Sequence, residues 1–306
     1  MQTKPKFPPY LNNLPLLHQG KVRDTYSIPG HPNLLLMVAT DRISTHDVVH
    51  QSPVPKKGEF LTAMTVFWLR EVFEGIPTHM VASGRKVFDH LQKDWSCPVD
   101  LHLRAIAVRR LEMVPYELIF RARMAGSLLK NFYSRGVENP YGLELPSGLQ
   151  LMSPLDPPIF TPTEKSETDD PVSADMVRRR YPGAVALADQ AYQQGREYAL
   201  TKGISIIDTK CEVGMDVDGI LSLGDEWLTG DCSRFVRTDD IELGQEPPWM
   251  DKEVFRQDAV RQWGGKTKGS PLIFSNKVIE AGISTYREAF ETLTGSSLER
   301  FQAQHF

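Results

Sequence analysis

The sequence predicts an α+β protein. Two strand–turn–strand patterns, at 17–40 and 204–224, point to antiparallel pairs. Separate stretches at 57–74, 173–202 and 251–295 carry helical spacing with their own start and stop residues. The length of 306 residues is enough for two domains or one large one with a sizeable core.

Composition narrows the class. Hydrophobic residues at 41% and charged residues at 24% are ordinary for a soluble globular protein. A net charge of −4 argues against a dedicated nucleic-acid binder, while local basic clusters for small phosphates remain open. Cys97, Cys211 and Cys232 are odd in number and lack CxxC spacing, which favours a reducing compartment. The opening MQTKPKFPPYLNNL is broken by prolines and has no apolar core of a secretory signal. The apolar run from Leu34 to Ala39 is far too short to span a bilayer. The expectation is a cytoplasmic protein with no membrane partner.

Residues 17–40 read as two antiparallel strands broken at Pro29-Gly30. Lys21, Arg23 and Thr25 share one face, and Val22, Asp24 and Tyr26 the other. Gly20 ahead of two cationic residues resembles a loop that covers nucleotide phosphates, though an exposed strand edge guarded by lysine gives the same pattern. At 41–49 a buried strand runs into a polar segment with Asp41, Arg42, Ser44 and Asp47, the kind of strand-end loop that carries sites. His46, Asp47 and His50 lack further ligands at metal-binding spacing. A helix is expected from Lys57 to Glu74, stopped by Gly75, with Leu61, Met64, Trp68 and Val72 as its core stripe.

Two strands follow over 101–125, interrupted at Pro115, the expected crossing between domains. Arg121 and Arg123 share a strand face, and Ser127 opens a helix at 127–135. Arginine beside a helix start is an anion-site pattern, although Ser127 also reads as an ordinary cap. Residues 136–172, rich in Pro, Gly and Thr, read as one long irregular segment. Ser173 caps a helical region broken at Pro182-Gly183 and stopped by Gly203. Asp251 caps a helix to about Trp263, and Ser275 begins one that ends at Gly295. GGKT at 264–267 is no P-loop, because Val260 stands where that motif needs glycine.

The stretch 204–234 holds the densest chemistry. Alternation places Asp208, Lys210 and Glu212 on one strand face. Asp218-Gly219 between apolar runs predicts a two-residue hairpin loop, in which Val217 pairs with Ile220 and Glu212 lies opposite Asp225. Facing carboxylates repel, and a divalent cation reverses the sign of that interaction. A register different by two, or a solvated face, would remove the need for a metal. Asp231, Ser233 and Arg234 form a compact cluster beyond the strand, where arginine suits bidentate anion binding.

GKVRDTY, VATDRISTHDVV, RARMAGS, IFTPTEK, IDTKCEVG and DEWLTGDCSR, in this order, resemble the SAICAR synthetase family over roughly residues 17–295. The resemblance implies a two-lobed fold: an N-terminal antiparallel β-rich lobe, 1–115, over a larger α+β ATP-binding lobe, 116–306, ending in helices from about 250. It implies ATP-dependent, Mg²⁺-assisted ligation of L-aspartate to the carboxylate of CAIR, giving SAICAR, ADP and phosphate in purine biosynthesis. Gly20, Lys21, Val22 and Arg23 match positions at the ATP phosphates, and Glu212 and Asp225 the pair that holds Mg²⁺. Arg121, Ser127 and Arg234 match groups around the ribonucleotide phosphate, and Asp231 and Ser233 are expected among the substrate-binding residues. Asp208 and Lys210 match the imidazole end, and Asp41 and Ser44 fall in one of two segments expected to take aspartate, the other being 160–165. Lys21, Asp208, Lys210, Glu212 and Asp225 are the residues expected to carry catalysis.

The chain departs from the family pattern at Cys211 and Val213, commonly Phe, at Gly230 and Cys232 in the PDSSR-like segment, and at Val236, commonly Trp. A paralogue acting on a related heterocyclic carboxylate, or a non-catalytic nucleotide-binding regulator, are the alternatives. Intact charges at every matched position speak against the regulator. The sequence leaves oligomeric state open, a homo-oligomer included.

Overall fold

The structure is a computed structural model that describes residues 7–92, 96–166 and 168–306. Residues 1–6, part of the stretch read as lacking a secretory signal, and Glu167 of the 136–172 segment lie outside the described residues. The chain divides into two compact units. Unit 1 takes in 1–67, 79–110 and 250–306; unit 2 takes in 68–78 and 111–249. In this division the C-terminal helices group with the N-terminal residues, whereas the resemblance implies lobes of 1–115 and 116–306. The reason is aromatic packing, since Phe290 packs on Phe60, and Phe301 on Phe67.

Unit 1 is built on a five-stranded antiparallel sheet. Its strands are β1 (Leu16–Gln19), β2 (Arg23–Ile28), β3 (His31–Ala39), β4 (Met80–Ser83) and β5 (Ala105–Arg109), in the order β1-β2-β3-β5-β4. The alternation expected in β2 holds, with Asp24, Tyr26 and Ile28 buried and Arg23, Thr25 and Ser27 half-buried. The helix Lys57–Phe67 is buried on every side, where the sequence suggested a single stripe. It ends at Phe67, and a π-turn follows over Trp68–Val72. Helix Asn276–Thr294 starts and stops as expected: Ser275 accepts from Val278 N at 3.4 Å and Gly295 sits at φ 67°. A last helix, Leu298–His305, was missed; Ser297 caps it by accepting from Arg300 N at 3.3 Å.

Unit 2 carries a second antiparallel sheet. Its strands include β6 (Tyr116–Arg123), β7 (Pro154–Phe160), β8 (Thr163–Glu164), β9 (Ile204–Met215), β10 (Leu221–Gly224) and β11 (Ser233–Arg237), and the two-residue strand Glu112–Met113 pairs with the end of β9. The twelve-residue β9 organises it, pairing with β6, β10 and β11. Residues 136–172 are less irregular than expected, because β7 and β8 both pair with β6. Prolines are tolerated in β7 because it is an edge strand, where a missing N–H breaks no inner ladder. Helix Pro182–Thr201 covers β9, with Ala184, Ala188, Ala191, Tyr192, Gly195 and Ala199 buried along one face.

The β9–β10 register is one residue off the expectation. Glu212 pairs with Gly224, not Asp225, and Met215 with Leu221. The loop holds three residues, Val217, Asp218 and Gly219, closed by Asp216 N donating to Ile220 O at 3.1 Å. Asp216 Oδ1 accepts from the N–H groups of Asp218 and Ile220, which adds a residue to the turn. Gly219 at φ 77° supplies the left-handed residue that such a three-residue loop requires.

Candidate active site

The polar face of the unit 2 sheet gathers most of the predicted residues. Asp208 on β9 stands directly opposite Arg121 on β6 and, across the other edge, opposite Arg234 on β11. One carboxylate oxygen, Oδ2, accepts from Arg121 Nη1 at 2.7 Å and from Arg234 Nη1. Arg121 also donates from Nε to Thr161 Oγ1 at 2.9 Å and from Nη2 to Ser127 Oγ at 3.3 Å. Two guanidinium groups around one carboxylate leave a net positive charge, aimed by a buried anchor. Asp208 is only 5% exposed. It holds the two arginines in place.

Gly126 lets Arg234 into this cluster. It has φ 59°, and a Cβ there would stand 2.8 Å from Arg234 Nη1. Ser127 does not cap a helix through its side chain; its hydroxyl faces Arg121, and the helix expected at 127–135 is a π-turn, Leu128–Phe132, followed by a 3-10 turn, Tyr133–Arg135. Ser233 and Asp231 are buried. Ser233 Oγ pairs with Thr209 Oγ1 at 2.8 Å across β9 and β11, on the face opposite Asp208 and Arg234, and Asp231 N donates to Thr229 Oγ1 at 3.2 Å.

Further along β9, Lys210 forms an ion pair with Glu117 of β6. Desolvation works against the ammonium, and Glu117 outweighs it, so Lys210 is held above the ordinary lysine range. Glu212 pairs with Lys165, just past β8. Burial first, and Asp225 second, push the Glu212 carboxyl above the usual range, while Lys165 opposes them. Asp225 follows the last residue of β10 at φ 55°. That turn out of the strand keeps the two carboxylates interacting although they are not cross-strand partners.

Two repelling, hard oxygen groups with a cationic side chain drawn onto one of them fit a divalent cation. Among the described residues no group of three or more His, Cys, Asp and Glu could hold a metal. Glu212 and Asp225 would supply two carboxylate oxygens to such a cation.

Unit 1 gathers the other predicted residues. Gly20 N donates to Arg23 O at 2.8 Å, closing a tight turn around Lys21 and Val22, which lie outside β2. Lys21 pairs with Asp47, and Val22 O accepts from Thr40 N and Oγ1 at 2.9 and 2.8 Å. Asp47 and His46, both at positive φ, turn a small hairpin whose strands are Ser44–Thr45 and Val48–Val49. Ser44 is buried there. Asp41 Oδ1 accepts from Gly58 N and Arg104 Nη1, both at 3.0 Å. Arg42 is buried against Asp24 at 2.6 Å and donates to Gly20 O at 3.2 Å, which braces the Gly20 turn from below.

Of the departures from the family pattern, Cys211 and Val213 alternate with Asp208, Lys210 and Glu212 along β9, while Val236 packs with Trp249, whose ring lies 6.0 Å from the Arg234 guanidinium. Cys211, Val213 and Val236 are buried, and Cys211 Sγ donates to Leu118 O at 3.1 Å. Burial pushes the Cys232 thiol up to about 11, so it is neutral at ordinary pH. Sequence reasoning missed Glu117, and reached Thr161 and Lys165 only as part of the segment 160–165. The signal for Glu117 was its strand parity with Arg121 in an otherwise apolar run.

The fold and this face define the class, an α+β enzyme built for anionic substrates of nucleotide kind. The family profile described as SAICAR synthetase matches residues 16–270. The phosphoribosylaminoimidazole-succinocarboxamide synthase of Cupriavidus necator is 38% identical, over 94% of this chain and 97% of its own length. That of Mannheimia succiniciproducens is 37% identical, over 92% and 98%. The solved SAICAR synthase of Saccharomyces cerevisiae, complexed with SAICAR, matches with a TM-score of 0.83 and 32% identity over 96% of this chain and 99% of its own. The chain belongs to the SAICAR synthetase family.

Proposed function

We propose that the protein is an ATP-dependent carbon–nitrogen ligase of purine biosynthesis that joins L-aspartate to the carboxylate of CAIR, forming SAICAR, ADP and phosphate. The observation that carries this reading is the charged sheet face of a family member: the Arg121–Asp208–Arg234 cluster on the same strand as Lys210 and Glu212. Arg121 and Arg234, with Ser127, bind the ribonucleotide phosphate. Gly20, Lys21, Val22 and Arg23 serve the ATP phosphates, and Asp41 and Ser44, or 160–165, serve aspartate. Glu212 and Asp225 would hold Mg²⁺, which would supply charge neutralisation at the phosphoryl oxygens.

A carboxylate is a poor electrophile. Transfer of the γ-phosphoryl group to the CAIR carboxylate releases ADP and makes an acyl phosphate. The aspartate amine attacks its carbonyl carbon, phosphate leaves, and the nitrogen gives up its proton. The protein's part is positioning and charge neutralisation. Lys210, held charged by Glu117, stabilises negative charge at the activated carboxylate. The departures at Cys211, Val213 and Val236 are buried and remove none of the charged side chains assigned a role, which supports the family's own substrate.

Among the described residues no helix is long and apolar enough to cross a membrane. The three cysteines are unpaired, in keeping with a reducing cytoplasm. The test is ADP release from ATP and Mg²⁺ with CAIR and L-aspartate, omitting each in turn and reading product mass. Formation of a succinocarboxamide that needs both is expected; ADP release indifferent to aspartate would overturn the reading.

A further inference from the structure

Glu117 has no substrate role above, yet its placement is specific. It lies on β6, is 6% exposed, and both its oxygens are engaged. Oε1 takes the Lys210 ammonium, and Oε2 accepts from Thr163 Oγ1 at 3.1 Å. The sheet register explains both contacts. Thr163 of β8 is the cross-strand partner of Glu117, while Lys210 pairs with Ile119, which puts Glu117 on the diagonal. Diagonal partners on one face are within reach of long side chains.

The Lys210 side chain remains 43% exposed. A lysine has four rotatable bonds, and left to itself its half-exposed tip samples many positions. An ammonium has three donors, and Glu117 takes one of them, which leaves two for a substrate. A buried carboxylate is costly unless fully bonded. Here it is bonded to a side chain whose tip is at the surface, so the arrangement orders the tip more than it fills the core.

We propose that Glu117, braced by Thr163, is a positioning residue for the ligation: it fixes the Lys210 ammonium where its free N–H groups meet the carboxylate being activated. This rests on the ligase reading. The role is orientation, so it acts on turnover more than on ATP binding.

The test uses the full chain with Glu117→Ala, Glu117→Asp, Thr163→Val, Lys210→Ala and the Glu117→Ala/Lys210→Ala double variant. Steady-state ADP release is read with melting temperature. Glu117→Ala is expected to lower kcat on the order of 10²-fold, the scale of loss from misplacing a group by about 1 Å. The KM for ATP stays within about twofold, since no ATP contact is touched. Glu117→Asp keeps the charge and recovers part of the loss, and Thr163→Val gives a smaller loss of the same kind. In the Lys210→Ala background, removing Glu117 changes kcat by less than about twofold, because the two act as a unit. Equal losses in both backgrounds, or a kcat loss that simply follows melting temperature across the series, would overturn the proposal. If the wild type turns over nothing with these substrates, the ligase reading fails separately. Crystals then decide the positioning: one Lys210 rotamer in wild type and several in Glu117→Ala supports it, and an unchanged Lys210 overturns it.

Discussion

Asp208 shows how one residue's meaning changes with its neighbours. Its carboxylate is shared by Arg121 and Arg234, so Arg234→Ala and Asp208→Asn should differ in kind. Arg234→Ala removes a half-buried cation and should mainly raise the KM for the ribonucleotide. A change confined to the KM for ATP would refute that role. Asp208→Asn leaves Arg121 buried beside a neutral partner; losing one member of a buried pair costs about 3–5 kcal/mol when no charge remains to compensate. Thermal melting should show a clear loss of stability with it, beyond any in Arg234→Ala. The carboxylate pair makes a separate prediction. Glu212→Ala or Asp225→Ala should weaken Mg²⁺ dependence and cut turnover on the order of 10²-fold while the far-UV spectrum is unchanged. Near wild-type rates at ordinary Mg²⁺ would remove the metal assignment.

At the scale of elements, the segment 136–172 carries the chief expectation. The stretch 165–172 just past β8 is tied to the site by Lys165 on Glu212. When a divalent cation takes Glu212, that ammonium must find another anion, and ATP phosphates are the nearest chemical match. Closure of part of 136–172 over the reacting groups would also keep an acyl phosphate from water. Limited proteolysis should therefore show this segment protected with ATP, Mg²⁺, CAIR and aspartate together, and less so with any one. Unchanged cleavage with all four would count against closure. The hairpin teaches a lesson at the same scale. Asp218-Gly219 was legible as a turn, yet the loop length was not, because Asp216 adds its own hydrogen bonds to the turn. A one-residue error moved Glu212 from Asp225 to Gly224. Strand parity survived it, because Asp208, Lys210 and Glu212 belong to one strand whatever its partner. The edge strand β7 was missed because its prolines mark loops unless a neighbouring strand supplies the ladder.

Across the whole molecule, stability should depend on pH through His50. Its ring is buried, with Nδ1 accepting from Leu272 N at 3.2 Å and Nε2 placed 2.8 Å from Thr45 Oγ1. Trp263 stacks on one face, and His46 lies near. Burial, and then the neighbouring His46, lower its pKa from 6.5 to about 4. A protonated Nδ1 could no longer accept from Leu272. The unfolded chain then binds the proton more readily between about 6.5 and about 4, so stability is full above that window and falls as pH drops through it. Melting temperature should decline from pH 7 to 5, and His50→Gln should lose part of that dependence. An identical pH slope in the variant would refute the role.

What the sequence determined by itself was local and periodic: strand and helix types, caps at Ser173, Ser275 and Gly295, and the face shared by Asp208, Lys210 and Glu212. Six ordered motifs identified the family, since charged residues at matched positions need no knowledge of their partners. Tertiary structure alone decided who meets whom. Arg121 is far from Asp208 in sequence, Glu117 from Lys210 and Lys165 from Glu212, and no short-range pattern encodes those pairs. The grouping of the C-terminal helices with unit 1 was decided in the same way, by Phe290 and Phe301 finding Phe60 and Phe67. Hydrophobic burial is non-directional, so the sequence says that those rings must be covered, and only the packed fold says by what.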